Sequence, residues 1–104
     1  MSTERAGAET GWDPRRPYRL SPTVSLRPEP FGALVYDFTT RRLSFLKTLA
    51  LVRVVKELAA NPDVYGALAA AEVPAAENQR YLDALAGLLS AGTIQPRENV
   101  REWA

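Results

Sequence analysis

The sequence predicts an α+β fold, winged helix-turn-helix-like, with a three-stranded antiparallel sheet followed by three helices. Two observations carry this prediction. Residues 24–46 alternate between apolar and polar side chains around two breaks, which is the period of a strand. Residues 49–90 instead repeat their apolar side chains three and four positions apart, which is the period of a helix. This order of elements, with the strands before the helices, is close to a winged-helix arrangement in which the sheet comes first.

Three short strands are expected, at about residues 23–28, 33–38 and 42–46. Pro28 and Pro30 end the first strand, because neither can donate a ladder hydrogen bond. Gly32 is available for a positive φ where the chain reverses into the second strand. A meander is the simplest topology for these three strands. It leaves the third strand at one edge of the sheet, with no covalently attached neighbour on its outer side.

The strand pattern also indicates which side chains share a face. Leu34, Tyr36 and Phe38 recur at a period of two, and Leu43 and Phe45 repeat that pattern on the third strand. Apolar residues at this spacing usually belong to a core. We therefore expect Leu43 and Phe45 to be mainly core residues.

Three helices are expected, at about residues 49–60, 64–71 and 74–90. Thr48 and Asp63 suit the N-caps of the first two, since their side-chain oxygens accept from free backbone N–H groups. Pro74 suits the first turn of the third helix, and Gly92 suits its C-terminal cap. The third helix carries one apolar face, made of Tyr81, Leu82, Leu85, Leu88 and Leu89.

A chain of 104 residues has room for one domain and little more. We expect a flexible tail at residues 1–17, the domain at 18–95 and a second tail at 96–104. Trp12 is expected to rest on the domain, and the sequence assigns no role to Trp103. After Gly92, residues 93–95 are expected to form a short extended segment.

The missing residue types exclude several function classes. The chain contains no cysteine and no histidine, which removes the thiolate nucleophile, the usual general base and the commonest metal ligands. The acid–base candidates, which are Glu29, Asp37, Glu57 and the tyrosines, form no recognisable catalytic pattern. No apolar run reaches the length of a membrane span, and the N-terminus has no signal-peptide core. We expect a cytoplasmic protein that is not an enzyme, holds no cofactor and binds no membrane.

Charge divides the chain into two halves. Its formal net charge is +1, which argues against simple polyanion binding. Residues 15–56 hold nine Arg or Lys against Glu29 and Asp37, a net of +7, whereas residues 57–104 have a net of −4. DNA binding is the obvious alternative for a winged-helix arrangement, but it requires a cationic reading helix. The predicted third helix lies in the acidic half, so we expect no nucleic-acid partner.

The exposed edge of the third strand is the most informative feature. It offers N–H and C=O groups to an extended peptide, which would add as a fourth strand. Arg41, Arg42 and Lys47 lie along or beside this edge, and they predict an acidic peptide. Charges on an edge strand also have a simpler role, since they deter aggregation.

One stretch resembles a known family. The run LRPEPFGALVYDFTTRRLSFLK, after YRLSP at residues 18–22 and before Val54-Val55, resembles the MftB family of mycofactocin biosynthesis peptide chaperones. That family belongs to the PqqD-like RiPP recognition elements. The resemblance covers roughly Tyr18 to Gly92, and its most specific parts are RPEPFGALVYD and RRLSFLK.

The resemblance implies a non-catalytic protein that binds the leader of a ribosomally made precursor peptide. It would present that peptide to a radical SAM maturase, which decarboxylates and crosslinks the peptide's C-terminal valine-tyrosine unit. The iron–sulfur clusters and S-adenosylmethionine belong to that enzyme. The implied peptide contacts lie on the strand edge and on the third helix, at Arg42, Leu43, Ser44, Phe45, Leu46, Tyr81, Leu85 and Leu88. A core role is also expected for Leu85.

Two other functions stay open on the sequence. One is a DNA-binding regulator, whose affinity for duplex DNA would fall steeply with salt. The other is a structural subunit of the maturase that binds no peptide itself. Peptide binding in the absence of the enzyme distinguishes this last function from a chaperone.

Overall fold

The computed structural model describes residues 11–97. The strands in this range are β1 (Tyr18–Leu20), β2 (Val24–Glu29), β3 (Gly32–Asp37), β4 (Arg42–Leu46) and β5 (Ile94–Pro96). The α-helices are α1 (Leu49–Glu57), α2 (Val64–Ala70) and α3 (Asn78–Ala91). Short 3₁₀ turns follow α1 at Leu58–Ala60 and precede α3 at Ala75–Glu77.

The main sheet has the order β2-β3-β4, and both neighbouring pairs are antiparallel. Leu34 of β3 lies opposite Arg27 on one side and Phe45 on the other, which fixes the register across all three strands. Three helices follow this sheet in the chain, so the predicted fold class is confirmed. The prediction that the third strand lies at a sheet edge is confirmed as well, because β4 is the last strand in the order.

A second, two-stranded sheet joins the two ends of the described chain. β1 pairs antiparallel with β5, with Leu20 opposite Ile94. The Arg97 guanidinium strengthens this closure by donating to the Tyr18 carbonyl at 3.1 Å. We predicted extended chain at residues 93–95 but not its pairing with β1, because a contact between residues so distant in sequence leaves no local pattern.

The helix caps follow the predictions. The Thr48 hydroxyl accepts from the Leu51 N–H at 3.0 Å, and the Asp63 carboxylate accepts from the Gly66 N–H at 2.7 Å. Gly92 ends α3 in the left-handed conformation at φ 82°. The predicted start of the third helix at Pro74 is wrong, since Pro74 is extended and a 3₁₀ turn separates it from α3.

The core lies between the inner face of the main sheet and the three helices. We call inner the sheet face that carries Ala33, Val35 and Leu46, whose side chains are buried. They meet buried residues of the helices and of the small sheet, among them Val54, Val55, Leu58, Leu68, Tyr81, Leu85, Ile94 and Tyr18. Leu85 is fully buried, which confirms its expected core role.

The core assignment of Leu43 and Phe45 is wrong. These side chains are 60% and 54% exposed, and they lie on the opposite, outer face of the sheet with Tyr36. Side chains alternate between the two faces as predicted, but the buried face is the one that carries the smaller residues. Ala33 and Val35 occupy it because helix α1 packs against β3 on this side.

Gly32 shows how tightly the end of β4 approaches β3. A Cβ atom built on Gly32 would meet the Leu46 carbonyl oxygen at 2.1 Å and the Thr48 nitrogen at 3.1 Å. Backbone atoms at that distance cannot move aside without shifting the strand. A glycine is therefore needed here for the close approach of the two backbones, and the predicted positive φ is wrong, because Gly32 does not adopt one.

Residues 11–17, which we placed in the N-terminal tail, contact the domain. The Trp12 and Tyr18 rings lie 5.3 Å apart between centroids. The Tyr18 hydroxyl donates to the Gly11 carbonyl at 3.1 Å and accepts from the Asp13 N–H at 2.9 Å. Trp12 thus packs against the core, as expected. Trp103 lies outside the described residues.

Candidate functional site

The hydrogen-bond pattern of the main sheet determines which backbone groups reach its edges. Glu29 and Gly32 close the hairpin between β2 and β3 across a two-residue loop. At the other end of that pair, the Phe38 N–H donates to the Thr23 carbonyl at 3.0 Å. In an antiparallel ladder, successive residues point their N–H and C=O groups to opposite sides. The even-numbered residues of β3 therefore bond to β2, and the odd-numbered ones bond to β4.

On β4, the same alternation directs Leu43 and Phe45 outward. Ser44 pairs with Val35 and Leu46 pairs with Ala33, so the backbone groups of Ser44 and Leu46 are used by β3. Those of Leu43 and Phe45 point away from β3, and in residues 11–97 no strand lies beyond β4 in this sheet. The free edge thus offers two donors and two acceptors at the spacing of an added strand.

The β2 edge offers much less. Its outward positions are Val24, Leu26 and Pro28, by the same alternation. Pro28 has no N–H, and the Val24 N–H already donates to the Ser21 carbonyl at 3.1 Å. Among the described residues, Leu26 is left as the one outward donor of β2.

A small cleft lies beside β4. It encloses about 100 Å³ and is lined by Val35, Asp37, Thr40, Arg42, Leu43, Ser44, Ala91 and Thr93. Ala91 and Thr93 form the wall opposite the strand, at the point where α3 ends and the chain turns through Gly92. The cleft therefore lies between the inner-face side of β4 and the C-terminal end of α3.

The helix residues expected to contact the peptide do not line this cleft. Tyr81 is 9% exposed and Leu85 is fully buried, so both side chains belong to the core. Leu88 is half-buried and packs against that core. Sequence reasoning missed Ala91 and Thr93 because neither continues the apolar stripe of α3. The left-handed cap at Gly92 was the available signal, since it turns the chain back after the helix.

The edge cations are exposed and lie outside the described ion pairs. Between residues 11 and 97, the ion pairs are Asp13–Arg15, Arg27–Glu29 and Glu77–Arg80, and none uses Arg41, Arg42 or Lys47. Arg41 closes the turn into β4 at a positive φ of 63°. The turn is held by the Asp37 carboxylate, which accepts from the Thr39 N–H at 2.9 Å. The three cations are thus available to an acidic partner.

The outer face of the sheet is apolar and open. Besides Leu43 and Phe45, it carries Leu34, which is half-buried, and Tyr36, which is 36% exposed. Phe31, in the hairpin turn, packs edge-on against Phe45 with ring centroids 5.9 Å apart. We use "outer face" for these five residues, Phe31, Leu34, Tyr36, Leu43 and Phe45.

The polar surface of α3 does not favour DNA reading. Arg80 lies 4.0 Å from the Glu77 carboxylate, and the Gln79 amide donates to Asp83 at 2.9 Å. Two of the side chains that could read a base therefore lie beside carboxylates, one in the preceding 3₁₀ turn and one on α3 itself. With Glu77 and Asp83 against Arg80, the described polar surface at the start of α3 carries no excess of positive charge for phosphate contacts.

The three carboxylates among the acid–base candidates have structural partners. Asp37 holds the β3–β4 turn, Glu29 lies 3.6 Å from the Arg27 guanidinium, and the Glu57 carboxylate accepts from the Asn61 amide at 3.2 Å. Across residues 11–97, Asp and Glu side chains do not gather in groups of three that could hold a metal ion. No helix in the same range is long and apolar enough to span a membrane.

Comparison with known proteins gives a consistent match. Residues 17–95 match the model of the "Peptide chaperone MftB family". A protein named "Peptide chaperone MftB" from Mycobacterium ulcerans is 45% identical over 95 residues, covering 91% of this chain and 87% of that protein. The one from Mycobacterium tuberculosis is 44% identical, covering 90% and 86%. The one from Mycolicibacterium smegmatis is 47% identical, covering 92% and 93%. No solved structure matches the chain.

Proposed function

The chain belongs to the peptide chaperone MftB family, and from this premise we propose that it binds the leader of the mycofactocin precursor peptide and delivers it to a radical SAM maturase. The family name describes a non-catalytic role, so the chain is not an enzyme. Its task is to bind and present a peptide.

The free edge of β4 is the observation that carries the proposal. An extended leader adds there as a fourth strand and bonds to the backbone of Leu43 and Phe45. Backbone bonding gives affinity without depending on the leader's sequence. The β2 edge does not compete, because Pro28 and the Ser21–Val24 turn leave it a single donor.

Selectivity comes from the side chains on either side of the added strand. Leader residues opposite Ser44 point to the inner-face side, where the cleft walled by Ala91 and Thr93 receives a side chain. Leader residues opposite Leu43 and Phe45 point to the outer face. Every second side chain of the bound leader is therefore enclosed by the cleft, and the side chains between them remain on the protein surface.

The charge at the edge selects an acidic leader. Arg41, Arg42 and Lys47 are exposed, and the part of the chain that the structure describes gives them no carboxylate partner. Carboxylates on the leader would meet them at the rim of the site. The resulting attraction speeds association and weakens as salt is added.

The buried members of the predicted site support it from beneath. Leu46 anchors the end of β4, while Tyr81 and Leu85 hold α3 against the core, so that Ala91 and Thr93 keep their place across the cleft. Among the predicted helix residues, we propose the half-buried Leu88 for a direct contact with the leader peptide. Substitution of Tyr81 or Leu85 would then act through the fold rather than through the peptide.

Titration of the chain with the precursor leader, in the absence of the maturase, tests the proposal. We expect saturable binding with one leader per chain, measured by calorimetry. No heat and no spectroscopic change at several hundred micromolar leader would contradict a chaperone role. That outcome would favour a structural subunit of the maturase.

A further inference from the structure

We infer that the outer face of the sheet, made of Phe31, Leu34, Tyr36, Leu43 and Phe45, is the surface that docks the maturase. The inference rests on the proposed function and adds to it where the enzyme binds. The partner surface it requires is apolar at its centre and carries carboxylates at its rim.

The exposure of this face is the first argument. Phe31 is 46% exposed, Phe45 54% and Leu43 60%, and they adjoin Tyr36 on neighbouring strands. Single exposed apolar residues are ordinary, but a contiguous aromatic and aliphatic patch marks an interaction site. Aromatic side chains are also enriched among the residues that dominate binding energy at interfaces.

Charge defines the partner. Arg27 lies on this face beside Leu34, and Lys47 follows Phe45 at the next outer-face position of the strand pattern. Glu29 is the acidic residue of β2 on this face, and it lies 3.6 Å from Arg27. The described charges at the rim of this face, Arg27, Lys47 and Glu29, therefore have a positive sum. A second copy of the chain would place like charges together across a two-fold axis, so an acidic protein surface fits better.

The added leader strand would enlarge the same face. Leader residues opposite Leu43 and Phe45 point outward, next to those side chains and in the same plane. An enzyme docked on the outer face would therefore contact the chaperone and the leader together. Binding of the two ligands is then cooperative, and each raises the affinity of the other by the same factor.

Tyr36 allows a clean test, because it lies on the central strand β3 and not at the peptide edge. Y36T removes the ring and introduces a β-branched residue, which suits a strand. We expect maturase affinity to fall about tenfold, while leader affinity in the absence of the enzyme changes less than twofold. Y65A is the matched control, since Tyr65 is similarly exposed at 44% but lies on α2. It should leave both affinities unchanged.

A charge variant keeps the test valid if Y36T is less stable. R27Q removes one rim cation on the strand farthest from the peptide edge, and R53Q removes an exposed cation of α1. We expect R27Q to weaken maturase binding about threefold at low salt and to flatten its salt dependence, with R53Q unchanged. Equal maturase affinity for the wild type, Y36T and R27Q would overturn the inference.

The measurements separate this inference from the proposed function. If the wild type binds no leader, the proposed function fails whatever the enzyme does. If Y36T remains folded and loses leader affinity, the outer face belongs to the peptide, and the docking inference is overturned. A gain of fivefold or more in maturase affinity on saturation with leader would support the shared surface. An unchanged affinity would contradict it.

Discussion

The two edge strands of the main sheet are built from similar residues yet offer different surfaces to another chain. β4 directs the backbone of Leu43 and Phe45 outward beside a cleft, with Arg41 and Arg42 at its start. β2 directs Pro28 outward and uses its Val24 N–H within a turn. One proline and one turn are therefore enough to distinguish a receptive edge from a protected one.

If a peptide adds to this sheet as proposed, the difference implies that the backbone largely specifies where it adds. The side chains of both edges include apolar and cationic residues, and composition alone would not choose between them. The choice follows from which N–H groups remain outward and from the wall that Ala91 and Thr93 provide on the β4 side. Substitutions that change backbone donors should therefore have larger effects than those that change side chains.

The largest expected effect follows from disturbing how β4 joins the sheet. In G32A the new Cβ would overlap the Leu46 carbonyl oxygen, and we expect the free energy of unfolding to fall by about 3 kcal/mol. G87A is the matched control, because a Cβ at Gly87 has nothing within 4 Å. It should raise stability by roughly 0.5 to 1 kcal/mol through helix propensity. Urea denaturation measures both, and equal stabilities for the two variants would contradict the close approach.

The next effect tests the outward donors directly. L43P removes an outward N–H of β4 without removing a bond to β3, and we expect leader affinity to fall about 30-fold, or about 2 kcal/mol. L26P removes the one outward N–H that β2 keeps among the described residues, and it also removes a half-buried side chain that packs against the core. It should leave leader affinity within twofold of the wild type. Calorimetry on the folded variants gives both values, and an equal loss from L26P would show that the two edges do not differ as described.

A smaller effect is expected from the edge cations. R41E/R42E should weaken leader binding about fivefold at low salt and less at high salt, with the fold intact. The control R53E/K56E makes the same charge change on exposed positions of α1. Fluorescence anisotropy with a labelled leader at two salt concentrations reports the difference. Unchanged affinity in a folded R41E/R42E protein would remove the electrostatic part of the proposal.

The smallest expected effect is on the protected edge. P28T restores an outward N–H on β2, but the cleft and the edge cations remain on the β4 side. We expect leader affinity and the stoichiometry of one leader per chain to stay unchanged. A second leader bound per chain, detected by native mass spectrometry, would mean that Pro28 alone protects this edge.

The sequence was a good guide to local structure. Alternation and caps located the three main strands and all three helices, because Thr48, Asp63 and Gly92 act on their own neighbours. The pairing of β1 with β5 was not foreseen, since it depends on contacts between distant parts of the chain. The free edge at β4 was predictable from the meander topology of the three strands alone.

The sequence was a poorer guide to which sheet face is buried. Leu43 and Phe45 are larger and more apolar than Ala33 and Ser44, so hydrophobicity pointed to the wrong face. The wall of the cleft was missed for a similar reason, because Thr93 is not marked by hydrophobicity. Both depend on how α1 and α3 pack against the sheet, which a single sequence does not display.

Amide hydrogen exchange read by NMR, with and without the precursor leader and in the absence of the maturase, is the most direct test of strand addition at β4. We expect the amides of Leu43 and Phe45 to gain protection on leader binding. Those of Arg42, Ser44 and Leu46, already bonded to β3, should change little. Protection gained at Leu26 instead, or no gain at Leu43 and Phe45 under saturating leader, would contradict strand addition at β4.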